Sequence, residues 1–173
     1  MRRVTRPGIA FLAILVLMLS ASTTSVTART SAPRGRTMCF GAEADMVGTT
    51  GDDVLEGTPS SDVIVGLGGD DSIAGAGGGD RICGGSGQDR LIGSGGNDTM
   101  LGGGADDIVK GSAGEDLMYG NGGGDTMAGG PADDVLDGGA GSDGLWGLGG
   151  DDEALGGQGN DDCVAETEVG CER

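Results

Sequence analysis

Aromatic side chains are scarce in this sequence: 173 residues include one Trp, one Tyr and two Phe, beside 41 Gly. So little bulky apolar material excludes the packed core of a conventional globular domain. Histidine is absent, and neither a G-x-S-x-G elbow nor an H-E-x-x-H helix occurs, which removes nucleophile–base pairs and zinc hydrolases from consideration. The chain is therefore read as no enzyme. Basic residues are also few, 10 Lys plus Arg against 28 Asp plus Glu. That balance excludes nucleic acid and anionic membrane surfaces as partners and makes cations the natural counterpart.

Long hydrophobic runs are lacking too. The one apolar stretch, Ile9 to Leu19, has about eleven residues, short of the roughly twenty that span a bilayer, so membrane insertion is not expected. Basic residues precede it and small ones follow, ending in Val26-Thr27-Ala28. Residues 1–28 thus read as an export signal cleaved near Ala28, and the protein as secreted, either free or held at the cell surface. Removal of Arg2, Arg3 and Arg6 leaves 7 basic (10 − 3) and 28 acidic side chains, a formal charge of −21. Four cysteines in a small exported chain suggest two disulfides, for which three pairings are open.

What the sequence has in abundance is a period. From Gly48 to Val164 it divides into thirteen nonapeptides with no insertion or deletion, each opening on Gly. Position six is Asp in every frame: Asp53, Asp62, Asp71, Asp80, Asp89, Asp98, Asp107, Asp116, Asp125, Asp134, Asp143, Asp152 and Asp161. Position four is Gly except at Ser60, Ala105 and Ala132, and position eight is apolar from Leu55 and Ile64 through to Leu145, weakening to Ala154 and Cys163. A fixed short period marks stacked units that are not stable singly.

The glycine-rich positions one to five read as a turn, since glycine admits positive φ and close approach. Positions seven to nine place one apolar side chain between polar or small neighbours, the alternation of a very short strand with position eight inward. Two frames then make one coil of eighteen residues, and frame i stacks on frame i+2. Odd frames form one parallel sheet and even frames another, in a rod of about six and a half coils and roughly 30 Å at ~4.8 Å per strand. One buried side chain for every nine ordered residues is too little to hold such a rod, and stacking also aligns a column of carboxylates. A hard divalent cation offsets this: Asp carboxylates and turn carbonyls are calcium's oxygen ligands, and magnesium's stricter octahedron fits less well. Without the ion, so acidic and glycine-rich a chain is expected to be disordered.

The frame G-G-x-G-x-D-x-U-x, matched over residues 48–164, resembles the RTX calcium-binding repeat. The resemblance implies a parallel β-roll in which Ca2+ sits between the turns of frames i and i+2, held by position-six aspartates and turn carbonyls. It pairs Asp53 with Asp71, Asp62 with Asp80, and so on to Asp143 with Asp161, a maximum of eleven sites. Frame two, with Pro59 and Ser60, and frames seven and ten, with Ala105 and Ala132, depart from the pattern and are expected to give weaker sites, as are the terminal frames. RTX proteins commonly leave the cell through a C-terminal signal, whereas an N-terminal one is read here, as in small repeat proteins exported by Gram-positive bacteria.

Residues 29–47 read as a basic leader followed by a cap over the first coil, and residues 165–173 as a tail. Cys163 and Cys171 are close enough in sequence to clip that tail, leaving Cys39 for Cys83. Leu101, Leu117, Tyr119, Val135 and Leu155 occupy outward positions of even frames and form an apolar stripe that could meet a protein or cell-surface partner, with Trp146 on the opposite sheet. The leading expectation is a calcium-binding module that folds on meeting extracellular calcium; the alternative is a calcium-dependent adhesion protein.

Overall fold

The computed structural model describes residues 37–171. The export signal expected at 1–28 and the basic leader through Arg36 lie outside the described residues, as do Glu172 and Arg173. A short antiparallel hairpin, β1 (Met38–Cys39) and β2 (Ala42–Glu43), precedes the repeats. All other strands fall into two parallel sheets. The odd-frame sheet holds β4 (Val54–Glu56), β6 (Ser72–Ala74), β8 (Arg90–Gly95), β10 (Ile108–Ala113), β12 (Thr126–Pro131), β14 (Gly144–Gly149) and β16 (Asp162–Val164). The even-frame sheet holds β3 (Met46–Val47), β5 (Val63–Gly68), β7 (Arg81–Ser86), β9 (Thr99–Gly104), β11 (Leu117–Gly122), β13 (Val135–Ala140), β15 (Glu153–Gln158) and β17 (Thr167–Val169). The chain is an all-β parallel solenoid with no helix among the described residues.

Register follows the period. Met100, for example, is paired with Ile82 on one side and Met118 on the other, eighteen residues away in each case. The thirteen position-eight side chains, Leu55 through Cys163, form one continuous buried file, none more than 5% exposed. A strand buries one residue in two, so the file is one side chain thick per coil layer from each sheet.

Most strands are six residues long, covering positions seven to nine and then one to three of the next frame. The turn is therefore confined to positions four to six, shorter than the five-residue turn read from the glycines. Pairing of positions one to three with the neighbouring coil satisfies main-chain groups that a longer turn would leave bare. Within the repeats β4, β6 and β16 stop after three residues. The continuation of β4 would run through Thr58 and Pro59, and proline has no N–H to give the ladder, while residues 75–77 after β6 lie beside that segment.

The ends differ from the thirteen frames and bring the solenoid to about seven coils. At the amino end β3 pairs with β5, and Met46 packs on the end of the core file. The rest of the expected cap lies elsewhere: the β1–β2 hairpin folds over the outer face of the even sheet, where Cys39 is bonded to Cys83 and the Phe40 ring packs tilted against Tyr119 with centroids 6.0 Å apart. Hydrophobic side chains at position nine of that sheet give the hairpin a surface to cover, and Val65 beneath it is only 6% exposed. At the carboxyl end the expected tail forms β17, which pairs with β15 fourteen residues back, and Cys163 is bonded to Cys171. Both pairings agree with the one inferred from sequence proximity. The apolar stripe on the even sheet is half-buried, with Tyr119 partly covered by Phe40.

Candidate metal centre

The site begins with a backbone choice repeated at every turn. From frame three onward, the residues at positions two and four both take positive φ, whatever their type: Leu67 at 84° and Gly69 at 102°, Ser112 at 89° and Gly114 at 122°, Leu148 at 86° and Gly150 at 148°. Ala105 and Ala132 adopt it too, at 81° and 136°. The frames singled out for alanine at position four thus keep the same turn. Thr49, Gly51, Thr58 and Ser60, at positions two and four of the first two frames, do not. Thr58 precedes Pro59, which holds it in the extended region.

This turn sinks the position-six aspartate into the solenoid. Of the thirteen, all but Asp62 are buried, Asp80, Asp107 and Asp161 to 1% exposure. Their Oδ1 atoms form a ladder with main-chain donors: the N–H of Asp53 bonds to Oδ1 of Asp71 at 2.8 Å, and Asp98, Asp107 and Asp116 donate in the same way to Asp116, Asp125 and Asp134. The ladder continues to Asp143, which donates to Asp161 at 3.0 Å. The eleven pairs expected from the frames are therefore in direct contact along each edge. Asp152, whose partner frame is missing, donates instead to Oε2 of Glu166 at 3.0 Å. Glu166 lies outside the nine-residue register, so nothing in the repeat pattern pointed to it.

The second carboxylate oxygen has a different environment. In all eleven aspartates from Asp71 to Asp161, Oδ2 is buried and has no hydrogen-bond partner. It lies against the position-one glycine of its own frame and that glycine's counterpart in the next coil: a Cβ on Gly66 would overlap Asp71 Oδ2 and approach the carbonyl oxygen of Gly84 to 2.5 Å. The same overlap recurs at Gly75, Gly84, Gly93 and onward. The invariant glycine therefore leaves room for a carboxylate oxygen near main-chain carbonyl oxygen, with no donor bonded to it.

Acceptors facing acceptors in a buried place repel unless a proton or cation intervenes. Burial raises the aspartate pKa values, opposed in part by the backbone N–H bond and reinforced for several by carboxylates in adjacent coils. Asp107 and Asp116 are pushed up to about 7, and Asp71, Asp80 and Asp125 to about 6. Asp89, Asp98, Asp134 and Asp143 move in the same direction. Few cations of the chain stand among the described residues to relieve this: only Arg81, Arg90 and Lys110.

Among the described residues no three His, Cys, Asp or Glu side chains converge on a point. A cation here would take one or two aspartates and fill its shell with main-chain oxygen, a hard-ligand set of the calcium type. The residue type, the orphaned oxygens and the space kept by glycine all fit such an ion.

The RTX calcium-binding nonapeptide repeat matches residues 47–82, 84–118, 101–135, 119–154 and 129–163, nearly all of the solenoid. The chain belongs to the RTX calcium-binding repeat family. No curated protein matches it significantly over its length. RTX repeats bind calcium, and the stacked aspartate turns of this β-roll fit Ca2+.

A second ladder surrounds the first and was not read from the sequence. Position-five side chains accept the N–H of position five in the following coil: Asp52 from Asp70 at 2.9 Å, Asp106 from Gly124 at 2.7 Å, Asp133 from Asp151 at 2.9 Å. It runs opposite to the Oδ1 ladder and ties six of the turns to the following coil in the other direction. Asp, Asn, Ser, Gly, Gln and Glu all occur at this position without a strict rule, which hides the signal beside the invariant Gly of position one and Asp of position six.

Proposed function

We propose that this RTX protein is a secreted structural module that folds around calcium, with Asp71, Asp80, Asp89, Asp98, Asp107, Asp116, Asp125, Asp134, Asp143, Asp152 and Asp161 as its carboxylate ligands. The supporting observation is the file of buried Oδ2 atoms without partners. Binding free energy then acts as folding free energy, and the chain stays open wherever calcium is scarce. Export with cleavage near Ala28, a leader and N-terminal cap over residues 29–47 and a short C-terminal tail over 165–173 complete this reading; the two disulfides are in keeping with an oxidising exterior. Far-ultraviolet circular dichroism of residues 29–173, disulfides intact, is the test. A cooperative coil-to-β transition on adding calcium, absent with magnesium, supports the proposal; a spectrum indifferent to both ions overturns it.

Adhesion through the even sheet is a second reading. Leu117, Val135 and Leu155 stand half-buried along its outer face, and calcium would then serve to display that face. Calcium-dependent capture of a partner that is lost in Leu117→Ser would favour it over a free-standing calcium binder.

A further inference from the structure

The first two position-six aspartates differ from the other eleven in what their second carboxylate oxygen meets. Oδ2 of Asp53 accepts hydrogen bonds from the N–H of Thr49 at 2.5 Å and its Oγ1 at 2.9 Å. Oδ2 of Asp62 accepts the equivalent pair from Thr58, at 2.6 and 2.8 Å. Neither oxygen is left unpartnered, whereas every one from Asp71 onward is. The close approach to the position-one glycine is the same as in the later frames: a Cβ on Gly48 would come within 2.7 Å of Asp53 Oδ2 and 2.5 Å of the Gly66 carbonyl oxygen. The threonines thus place two donors where the rest of the column has none.

The backbone explains how. Threonine is the position-two residue only in frames one and two. A β-branched side chain disfavours the positive φ that position two takes in all later frames. With ordinary φ its N–H turns inward to the carboxylate, and its hydroxyl follows. Pro59 reinforces this at Thr58. The same coil is held by Met46 against the end of the core, and its Val65 pairs with Cys83 of the next coil, to which the hairpin is bonded through Cys39.

We propose that Thr49 and Thr58 stand in for the cation in the first coil, so that the calcium column starts at Asp71 and the first coil is ordered without the ion. The later coils then assemble upward from a preformed end. This rests on the calcium reading above and specifies where in the chain calcium acts.

Hydrogen exchange followed by mass spectrometry on the exported chain, disulfides intact, with EDTA or with calcium, separates the two claims. Expected in EDTA is protection of Asp53–Val65 by at least about 100-fold over segments from Asp98 to Asp161, with calcium bringing the latter to the same level. Exchange of Asp53–Val65 in EDTA as fast as the rest, with calcium slowing both, overturns this proposal and leaves the calcium reading standing. Protection that calcium changes nowhere overturns both. In Thr49→Gly/Thr58→Gly, and in Thr49→Ser/Thr58→Ser because serine at position two takes positive φ in Ser94 and Ser112, protection of the first coil is expected to become calcium-dependent. Calcium-independent protection in the glycine variant would show that the threonines are not its cause and would overturn the assignment.

Discussion

Each buried aspartate of the column divides its labour between two oxygens. Oδ1 of Asp116 holds the N–H of Asp98, and Oδ2 has nothing to hold. Asp116→Asn keeps an acceptor for that N–H and replaces the charged oxygen by a donor facing carbonyl oxygen. It is expected to bind one calcium fewer, with a higher calcium midpoint, yet to retain more β structure in EDTA than the parent; isothermal titration and circular dichroism measure both. Ala132 makes the opposite kind of prediction. Its φ of 136° is strained for a residue with a Cβ, at a cost of about 1–3 kcal/mol. Ala132→Gly is expected to stabilise the calcium-loaded form by about 1 kcal/mol after the greater unfolded entropy of glycine, seen as a higher urea midpoint. Met118, fully buried in the core file, should lose about 2–5 kcal/mol on change to Ala.

Among the elements, the strands were legible from the sequence because their signal is periodic and local: one apolar residue at position eight, one Asp at position six, Gly at position one. The same regularity concealed the exceptions. Thr49 and Thr58 were visible as the two threonines at position two, but the hydrogen-bonded turn they form depends on which way one peptide faces. Glu166 and β17 break the register, since the last coil closes in fourteen residues. The β1–β2 hairpin has no repeat to announce it, and its place on the even sheet is set by Cys83 and Tyr119, which are far off in sequence. That hairpin closes a loop of 44 residues through Cys39 and Cys83. Cys39→Ser/Cys83→Ser is expected to lower stability by about 3–4 kcal/mol in urea unfolding with calcium saturating, and to raise the calcium needed for folding.

On the scale of the whole molecule, the aligned carboxylates make stability depend on pH in a direction set by the ion. Burial raises the pKa of Asp107 and Asp116 to about 7 and of Asp71, Asp80 and Asp125 to about 6, from 3.8. Without cations the folded form therefore binds more protons than the unfolded one across that interval. Its stability is greatest below about pH 4 and falls as pH rises through about 6 to 7. With calcium the sense reverses, because protons compete for the same oxygens, and the calcium midpoint is expected to fall between pH 5 and pH 8. Circular dichroism in EDTA and in calcium across this range checks both signs; a calcium midpoint that does not move would contradict the competition.

The eighteen-residue register also sets how such a rod can change length. Every frame lies on the frame two before it, so excision of any single interior frame leaves each neighbour a partner and keeps position eight inward. It would, however, transfer everything downstream to the opposite sheet. Removing frame five would carry Tyr119 to the side away from Phe40 and leave the hairpin facing the former odd strands. Removing frames five and six together would shorten the rod by one coil and keep every later residue on its own face. The interior counts in nines and the exterior in eighteens. Duplication and loss in this chain can therefore leave the core unchanged while exchanging which face any partner meets.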